Sequence, residues 1–195
     1  MRRSHRREHL IDTATALFCE HGYHATGIDK ILDKAGVSKK TLYTHFRSKE
    51  ELILAVLRQY DGLFRNDFMR KVDRLGKTPR EKLLAVFDVA EAWFSQRNFY
   101  GCMFINAIGE YSEKDSPIRA VGKQFKQLIR DYIKTLSVEA GAEQPDALAD
   151  RLALILEGAI VTAQVSQDPK AAQTAKDAAG VLIERMVKPS RDENG

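Results

Sequence analysis

Cysteine is nearly absent from this sequence, with only Cys19 and Cys102 in 195 residues. Two isolated thiols exclude a disulfide framework and suit a reducing compartment. Catalytic motifs are also lacking: no Gly-rich phosphate loop follows a strand, no Gly-x-Ser-x-Gly is present, and spacing singles out no carboxylate pair. The five histidines all precede residue 46, and no Cys or carboxylate cluster completes a metal site around His21 and His24. We therefore expect neither an enzyme nor a cofactor.

Long apolar runs are missing as well. The most apolar later segment, LALILEGAIV at 152–161, is interrupted by Glu157 and is too short to cross a bilayer. Glu8 and Asp12 interrupt the start of the chain, where a signal peptide needs an apolar core. We expect a mature cytoplasmic protein with no membrane partner.

Excess positive charge is confined to the first quarter of the chain. Residues 1–49 hold ten Lys or Arg and five Asp or Glu, whereas the whole chain has a net charge of +4, so the remainder is nearly neutral. Lys and Arg that neutralise phosphates release condensed counterions, which favours contact between such a segment and a polyanion. A merely solvated basic surface is the alternative at this point.

Apolar residues recur at helical spacing, and strand patterns are nearly absent. About nine helices are predicted, near 5–21, 28–35, 39–45, 48–75, 79–94, 102–111, 117–136, 146–166 and 170–187. Ser48 and Glu51 predict a capping box at the start of the long fourth helix, and Pro79 suits the first turn of the fifth. The fold class is therefore all-α, with no internal repeat.

Residues 28–45 predict a helix-turn-helix, because two short helices flank Gly36 and Ser38 is placed to cap the second. In this motif the start of the second helix meets base edges, and flanking groups hold phosphates. We expect Lys39, Lys40, Thr41 and Thr44 to face the groove, and Tyr43, His45 and Lys49 to contact phosphates. Simple packing of Tyr43 is the alternative.

Residues 8–57 resemble the N-terminal DNA-binding domain of the TetR/AcrR family of bacterial transcription regulators. The resemblance lies in LFCEHGY, AGVS, TLYTHF and SKEEL at the family's spacing. It implies that positions commonly touching DNA are Thr26, Lys39, Lys40, Thr41, Tyr43, Thr44, His45 and Lys49. Three residues depart from the family pattern: Gly27, Leu32 and Lys40 stand where Ser or Thr, Ala, and a small residue are usual, so the DNA sequence preference does not follow.

The resemblance also implies the domain organisation and the function. Residues 1–47 form the DNA-binding domain, residues 48–195 form a helical ligand-binding and dimerisation domain, and the helix 48–75 connects them. The implied function is a repressor that a small, mainly apolar inducer releases from a near-palindromic double-stranded DNA operator. The alternative from another class is an architectural protein that coats DNA without an inducer.

Aromatic and aliphatic side chains on several later helices are candidates for a ligand pocket, because such pockets are mostly apolar. They are Phe64, Phe68, Trp93, Phe94, Cys102, Phe104, Ile108, Phe125 and Tyr132. The same pattern also fits plain core. Cys102 follows Gly101 at an expected helix start, a position that makes thiols more reactive, and some electrophile- or oxidant-responsive members of the resembled family have a similar Gly-Cys context. A buried, inert cysteine is the alternative.

The last two helices are the expected dimer interface, since by resemblance they pair with their copies as a four-helix bundle. On the penultimate helix the expected contacts are Leu152, Ile155, Leu156, Ala159, Ile160 and Ala163. On the last helix they are Ala178, Val181, Leu182, Arg185 and Met186.

Overall fold

A computed structural model describes residues 2–188 of the chain. Within that range the backbone forms nine α-helices and no strand. They are α1 Arg2–His21, α2 Ile28–Ala35, α3 Lys39–His45, α4 Lys49–Leu75, α5 Pro79–Phe94, α6 Met103–Glu110, α7 Pro117–Glu139, α8 Pro145–Ser166 and α9 Ala171–Met186. The prediction of an all-α fold is confirmed. Residue 1 and residues 189–195, which the sequence assigns to the two domains, lie outside the described residues.

The helices divide into two compact units that do not follow the order of the chain. The first lies within Met1–Phe64 and Cys102–Phe125, and the second lies within Arg65–Gly101 and Lys126–Gly195. The boundary therefore falls inside α4 and inside α7, so each of these helices contributes its first part to one unit and its second part to the other. The functional division between residues 47 and 48 stays a prediction.

In the first unit α1 packs against α2 and α3, and these two short helices pack against each other. The apolar stripe that the sequence indicates on α1 is buried: Leu10, Ile11, Ala14, Leu17 and Phe18. A large apolar side chain contributes about 1.5–3 kcal/mol when it is fully buried. Burial of this stripe therefore stabilises the packing of α1 in the first unit, where α1 contacts α2 and α3.

In the second unit α8 packs against α9, and α5 packs against both. The buried residues of α5 recur at helical spacing and form the centre of this unit: Leu83, Ala85, Val86, Phe87, Val89, Ala90 and Phe94. On α7, Arg130 pairs with Asp146 and Asp150 of α8 at N–O distances of 2.9 and 2.7 Å. The two carboxylates raise the pKa of the Arg130 guanidinium, which remains charged.

Helix starts agree with the sequence only in part. The Ser48 hydroxyl accepts the N–H of Glu51, as predicted, but the Glu51 carboxylate accepts the N–H of Arg47 rather than that of Ser48. A complete capping box lies at the start of α5, where Thr78 and Glu81 accept each other's backbone N–H groups. Sequence reading missed this second box, although Thr-x-x-Glu is its signature.

Candidate functional site

The turn between α2 and α3 has the geometry of a helix-turn-helix. Gly36 ends α2 at φ +63°, a left-handed conformation that favours glycine. Ser38 begins α3, where its hydroxyl accepts the backbone N–H of Thr41 at 3.2 Å. Ile31 on α2 and Leu42 on α3 are fully buried, which holds both helices in the first unit. The predicted turn and cap are confirmed.

The outer face of α3 carries most of the predicted DNA contacts. Its exposed members are Lys39, Lys40, Tyr43 and Thr44, and its half-buried members are Thr41 and His45. Tyr43 is 49% exposed although it lies next to the fully buried Leu42. The ring of Tyr43 is therefore not part of the core. Ammonium groups, hydroxyls and an aromatic ring converge on one short helix, and side chains of these types bind base edges and phosphates.

Thr26 differs from the other predicted contacts because its side chain is 0% exposed. Its hydroxyl lies 2.7 Å from the Gly22 carbonyl oxygen and 3.3 Å from that of Leu17. The side chain thus closes the turn between α1 and α2 and does not face solvent. A contact between Thr26 and DNA through this side chain is not available in the structure.

Two of the departures from the family pattern lie at α2. Gly27 precedes the helix, and Leu32 lies on its buried face. Gly27 is the N-cap of α2 and makes no side-chain hydrogen bond there. A Cβ added at Gly27 meets no atom of the described residues within 4 Å, so a capping Ser or Thr would fit. Leu32 is buried, so the first unit accommodates this larger side chain.

Lys49 begins α4 and is half-buried. Its Nζ donates to the backbone oxygen of His24 at 3.3 Å, which joins the start of α4 to the turn after α1. Burial lowers the pKa of Lys49, and the nearby carboxylates of Glu110 and Glu50 oppose that shift. The sequence singles out Lys49 but gives no sign of Glu110, because the two residues are far apart along the chain.

The predicted pocket residues fall in both units. In the first unit, Phe104 and Phe125 stack with ring centroids 3.9 Å apart, and Phe64 lies 6.2 Å from Phe125. Tyr60 is not among the pocket residues predicted from the sequence. Its ring centroid lies 5.5 Å from that of Phe64 and 6.1 Å from that of Phe104. The Ile108 side chain packs so closely on Gly122 that a Cβ there would lie 2.6 Å from Ile108 Cδ1. These contacts form an aromatic cluster of Tyr60, Phe64, Phe104 and Phe125.

In the second unit, Trp93 and Phe94 form a smaller group with Phe99, at centroid distances of 5.2 and 5.0 Å from that ring. Phe68 is buried, and Tyr132 is half-buried. The Tyr132 hydroxyl is buried and has no hydrogen-bond partner among residues 2–188, and burial raises its pKa. Whether any of these residues contacts a ligand stays a prediction.

Cys102 is the N-cap of α6, as the sequence indicates, and is 4% exposed. Little of the thiol is open to a reagent, which favours the inert alternative. The other cysteine, Cys19, is less buried, and its burial raises the pKa to about 11. At neutral pH the Cys19 thiolate is therefore scarce, and this thiol is a poor nucleophile.

The dimer face predicted on α8 is wrong. Its members are turned inward and buried within the chain, with Ile155 half-buried: Leu152, Leu156, Ala159, Ile160 and Ala163. They pack in the second unit, where α8 meets α5 and α9. The opposite face of α8 carries an exposed row, called here the outer α8 stripe, of Leu154, Gly158, Val161 and Val165. Leu154 and Val165 are 74% and 81% exposed.

The residues predicted on α9 do face outward at least in part. Ala178, Val181 and Arg185 are exposed, and Leu182 and Met186 are half-buried. Val181 adds a further exposed apolar side chain to those of the outer α8 stripe. Apolar surface is therefore concentrated on the two helices that the sequence assigns to dimerisation.

No group of three or more His, Cys, Asp or Glu residues within the described part of the chain is placed to hold a metal ion. Among residues 2–188, no helix combines the length and the apolar character that crossing a membrane requires.

The fold and the α3 surface together define a DNA-binding protein of the helix-turn-helix class. Residues 10–56 match the family described as bacterial regulatory proteins, tetR family, and residues 79–179 match the tetracyclin repressor-like C-terminal domain. The chain belongs to the tetR family of bacterial regulatory proteins. The suspected resemblance is confirmed, and the chain is a transcriptional regulator rather than an enzyme.

Three similar proteins illustrate the match. The transcriptional activator FasR of Mycolicibacterium smegmatis is 44% identical over 93 residues, which are 47% of this chain and 40% of FasR. The chain therefore matches well under two thirds of FasR. The transcriptional repressor DhaR of Mycobacterium sp. strain GP1 is 27% identical over 86% of this chain and 87% of its own length. A TetR-family regulator from Streptomyces coelicolor has a crystal structure that covers 95% of this chain and 97% of its own, with 28% identity and a TM-score of 0.84.

Proposed function

We propose that this regulator is a homodimeric repressor that binds a near-palindromic operator through α3 and leaves it when a small, mainly apolar molecule binds the helical C-terminal part. The observation that carries the proposal is the basic, hydroxyl-bearing outer face of α3, held by the Ser38 cap and the buried Leu42. Helices of this geometry place such side chains in the major groove. The name of DhaR supports repression, whereas FasR is named an activator.

The residues of the recognition surface are expected to divide their roles. Lys40→Ala and Thr41→Ala should change which bases are preferred, because lysine donates to guanine and threonine contacts bases or the thymine methyl. Tyr43→Phe and Lys49→Ala should weaken binding to every sequence, by about 1–2 kcal/mol each, because phosphate contacts carry no sequence information. Titration against a selected site and against a random duplex of equal length, at one salt concentration, separates the two effects.

Lys170→Ala is the matched control for these variants, because it removes the same charge from an exposed residue at the start of α9. It should change neither affinity nor base preference. Equal losses on selected and random DNA from all four surface variants would contradict the division of roles.

Dimerisation is supported by the outer α8 stripe and by Val181 on α9. A row of exposed apolar side chains along one helix is unusual on a monomer and typical of an interface. A near-palindromic site requires two reading heads, which a symmetric dimer supplies.

Val161→Arg is expected to shift the protein toward monomers, because Val161 lies between Leu154 and Val165 in the stripe and a buried unpaired guanidinium is costly. Sedimentation at micromolar concentration should give a dimer for the wild type and at least a tenfold weaker dimer for the variant, a cost of about 1.4 kcal/mol or more. Val138→Arg, at an exposed valine on α7, is the control and should stay dimeric. A monomeric wild type, or a dimer unaffected by Val161→Arg, would contradict the proposal.

A mainly apolar ligand is supported by the aromatic clusters described above, because ligand pockets are mostly apolar. A thermal-shift comparison of neutral and charged small molecules tests this choice. Neutral apolar compounds should raise the melting temperature, and stabilisation by charged compounds alone would contradict it.

A further inference from the structure

Tyr23 holds α6 at both of its ends. Its hydroxyl donates to the carbonyl oxygen of Met103, the first residue of α6, at 3.0 Å. Its backbone N–H donates to Glu110 Oε1, on the last residue of α6, at 2.8 Å. Tyr23 is almost fully buried, and its ring stacks on Phe18 of α1 at a centroid distance of 4.9 Å. One residue of the turn after α1 is therefore bonded to both ends of a helix that lies about 80 residues further along the chain.

The Glu110 carboxylate also accepts the backbone N–H of His24, at 2.5 Å on its other oxygen. The His24 ring also donates to Glu110. Its Nε2 lies 3.1 Å from the Glu110 backbone carbonyl oxygen, and that oxygen can only accept. Hydrogen bonds to an ionised carboxylate are shorter and stronger than neutral ones. The two carboxylate oxygens of Glu110 therefore hold the backbone N–H groups of Tyr23 and His24, one each.

The carbonyl group of His24 is the acceptor for Lys49 Nζ. An ammonium group has three N–H donors, so Lys49 retains two for another partner while it is held there. A lysine side chain loses considerable rotamer freedom when it is ordered, and an anchor already present in the free protein reduces that cost on binding. The bonds thus run from Glu110 through His24 to a residue predicted to contact phosphate.

We propose that Glu110 is a positioning residue for DNA binding: it fixes the His24 carbonyl on which Lys49 is anchored, and so holds the Lys49 ammonium ready for a DNA phosphate. This inference rests on the proposed function, because it works through the Lys49 contact. It assigns a DNA-binding role to a residue on α6, outside the helix-turn-helix.

Glu110→Gln is the test. A glutamine amide keeps the length of the side chain but offers one acceptor oxygen, so one of the two backbone N–H groups loses its partner. Affinity for the selected duplex should fall about fivefold, and exchange of the residue 23 and 24 amide protons should become faster. Loss of a negative charge by itself should strengthen binding to a polyanion, so a weaker complex cannot come from charge alone.

Two further variants separate positioning from folding. Glu113→Gln removes the same charge from an exposed glutamate three residues on, and should bind DNA as tightly as the wild type or slightly more tightly. Glu110→Asp keeps both acceptor oxygens and should recover part of the affinity that Glu110→Gln loses.

The double variant Glu110→Gln with Lys49→Ala tests whether Glu110 acts on DNA binding through Lys49. If Glu110 acts through Lys49, Glu110→Gln should cause no further loss in the Lys49→Ala background. The proposal is overturned if Glu110→Gln binds as tightly as the wild type, or if it lowers affinity by the same factor with and without Lys49. A wild type that selects no DNA sequence would overturn the proposed function as well, whereas a wild type that binds selectively alongside an unaffected Glu110→Gln would overturn this inference alone.

Discussion

Replacement of Phe104 by alanine is expected to lower the free energy of unfolding by about 3–5 kcal/mol. Phe104 is 0% exposed, and its ring stacks on Phe125 at 3.9 Å with an interplanar angle of 10°. The substitution removes the transfer energy of the ring and leaves a cavity that the stacked neighbours can fill only in part. Denaturant unfolding of both proteins measures the difference.

Leu63→Ala is the control for that prediction, because Leu63 lies on α4 and is 66% exposed. Its loss should change the free energy of unfolding by less than about 0.5 kcal/mol. A Phe104→Ala variant that loses less than about 1 kcal/mol would mean that the ring is not packed as described.

The second large effect is expected at Gly101, where alanine should destabilise the protein by about 2–3 kcal/mol. The backbone of Gly101 has φ +83°, which costs a residue with a side chain about 1–2 kcal/mol. A Cβ at Gly101 would also lie 2.1 Å from the Gln164 side chain, which must then move. That movement breaks the hydrogen bond from Gln164 to the Tyr100 carbonyl oxygen, now 3.1 Å long.

The same substitution at Gly62 should have the opposite sign. Gly62 lies inside α4, and within the described part of the chain a Cβ there meets nothing within 4 Å. Alanine is favoured over glycine in a helix interior by about 0.5–1 kcal/mol, so Gly62→Ala should stabilise the protein. Thermal unfolding of the two variants checks both signs, and a destabilised Gly62→Ala or an unaffected Gly101→Ala would contradict the geometry.

The helix-turn-helix could be predicted because every signal that specifies it is local. Gly36 supplies the left-handed turn, Ser38 caps α3 through a residue three positions on, and Leu42 marks the buried side of a two-turn helix. Each of these signals is contained within a few residues, so that no knowledge of distant contacts is needed.

The face of α8 could not be chosen from the sequence, because this helix is apolar on two opposite sides. The inner row that includes Leu152 and Leu156 packs in the second unit, and the outer α8 stripe is exposed. A spacing pattern identifies a row of apolar residues but does not say whether the same chain or a second copy covers it. Only the packing of α8 against α5 and α9 decides between the rows.

The contacts of Tyr23 and Thr26 were missed for a different reason. The resemblance predicts a DNA contact for Thr26, but its hydroxyl donates to the Gly22 carbonyl oxygen, a local alternative open to any threonine in a turn. Tyr23 meets Glu110 across 87 positions of sequence, and no periodicity or motif relates residues so far apart. Such pairs become visible only when the helices are packed.

The central claim is that α3 reads a specific DNA sequence in a dimer, and selection of bound duplexes from a random pool at near-physiological salt tests it most directly. The account predicts enrichment of an inverted repeat, with weaker enrichment for Lys40→Ala and a shifted base preference within each half. No enrichment, together with binding that disappears as salt is raised, would contradict sequence-specific recognition and favour an architectural DNA-binding protein instead.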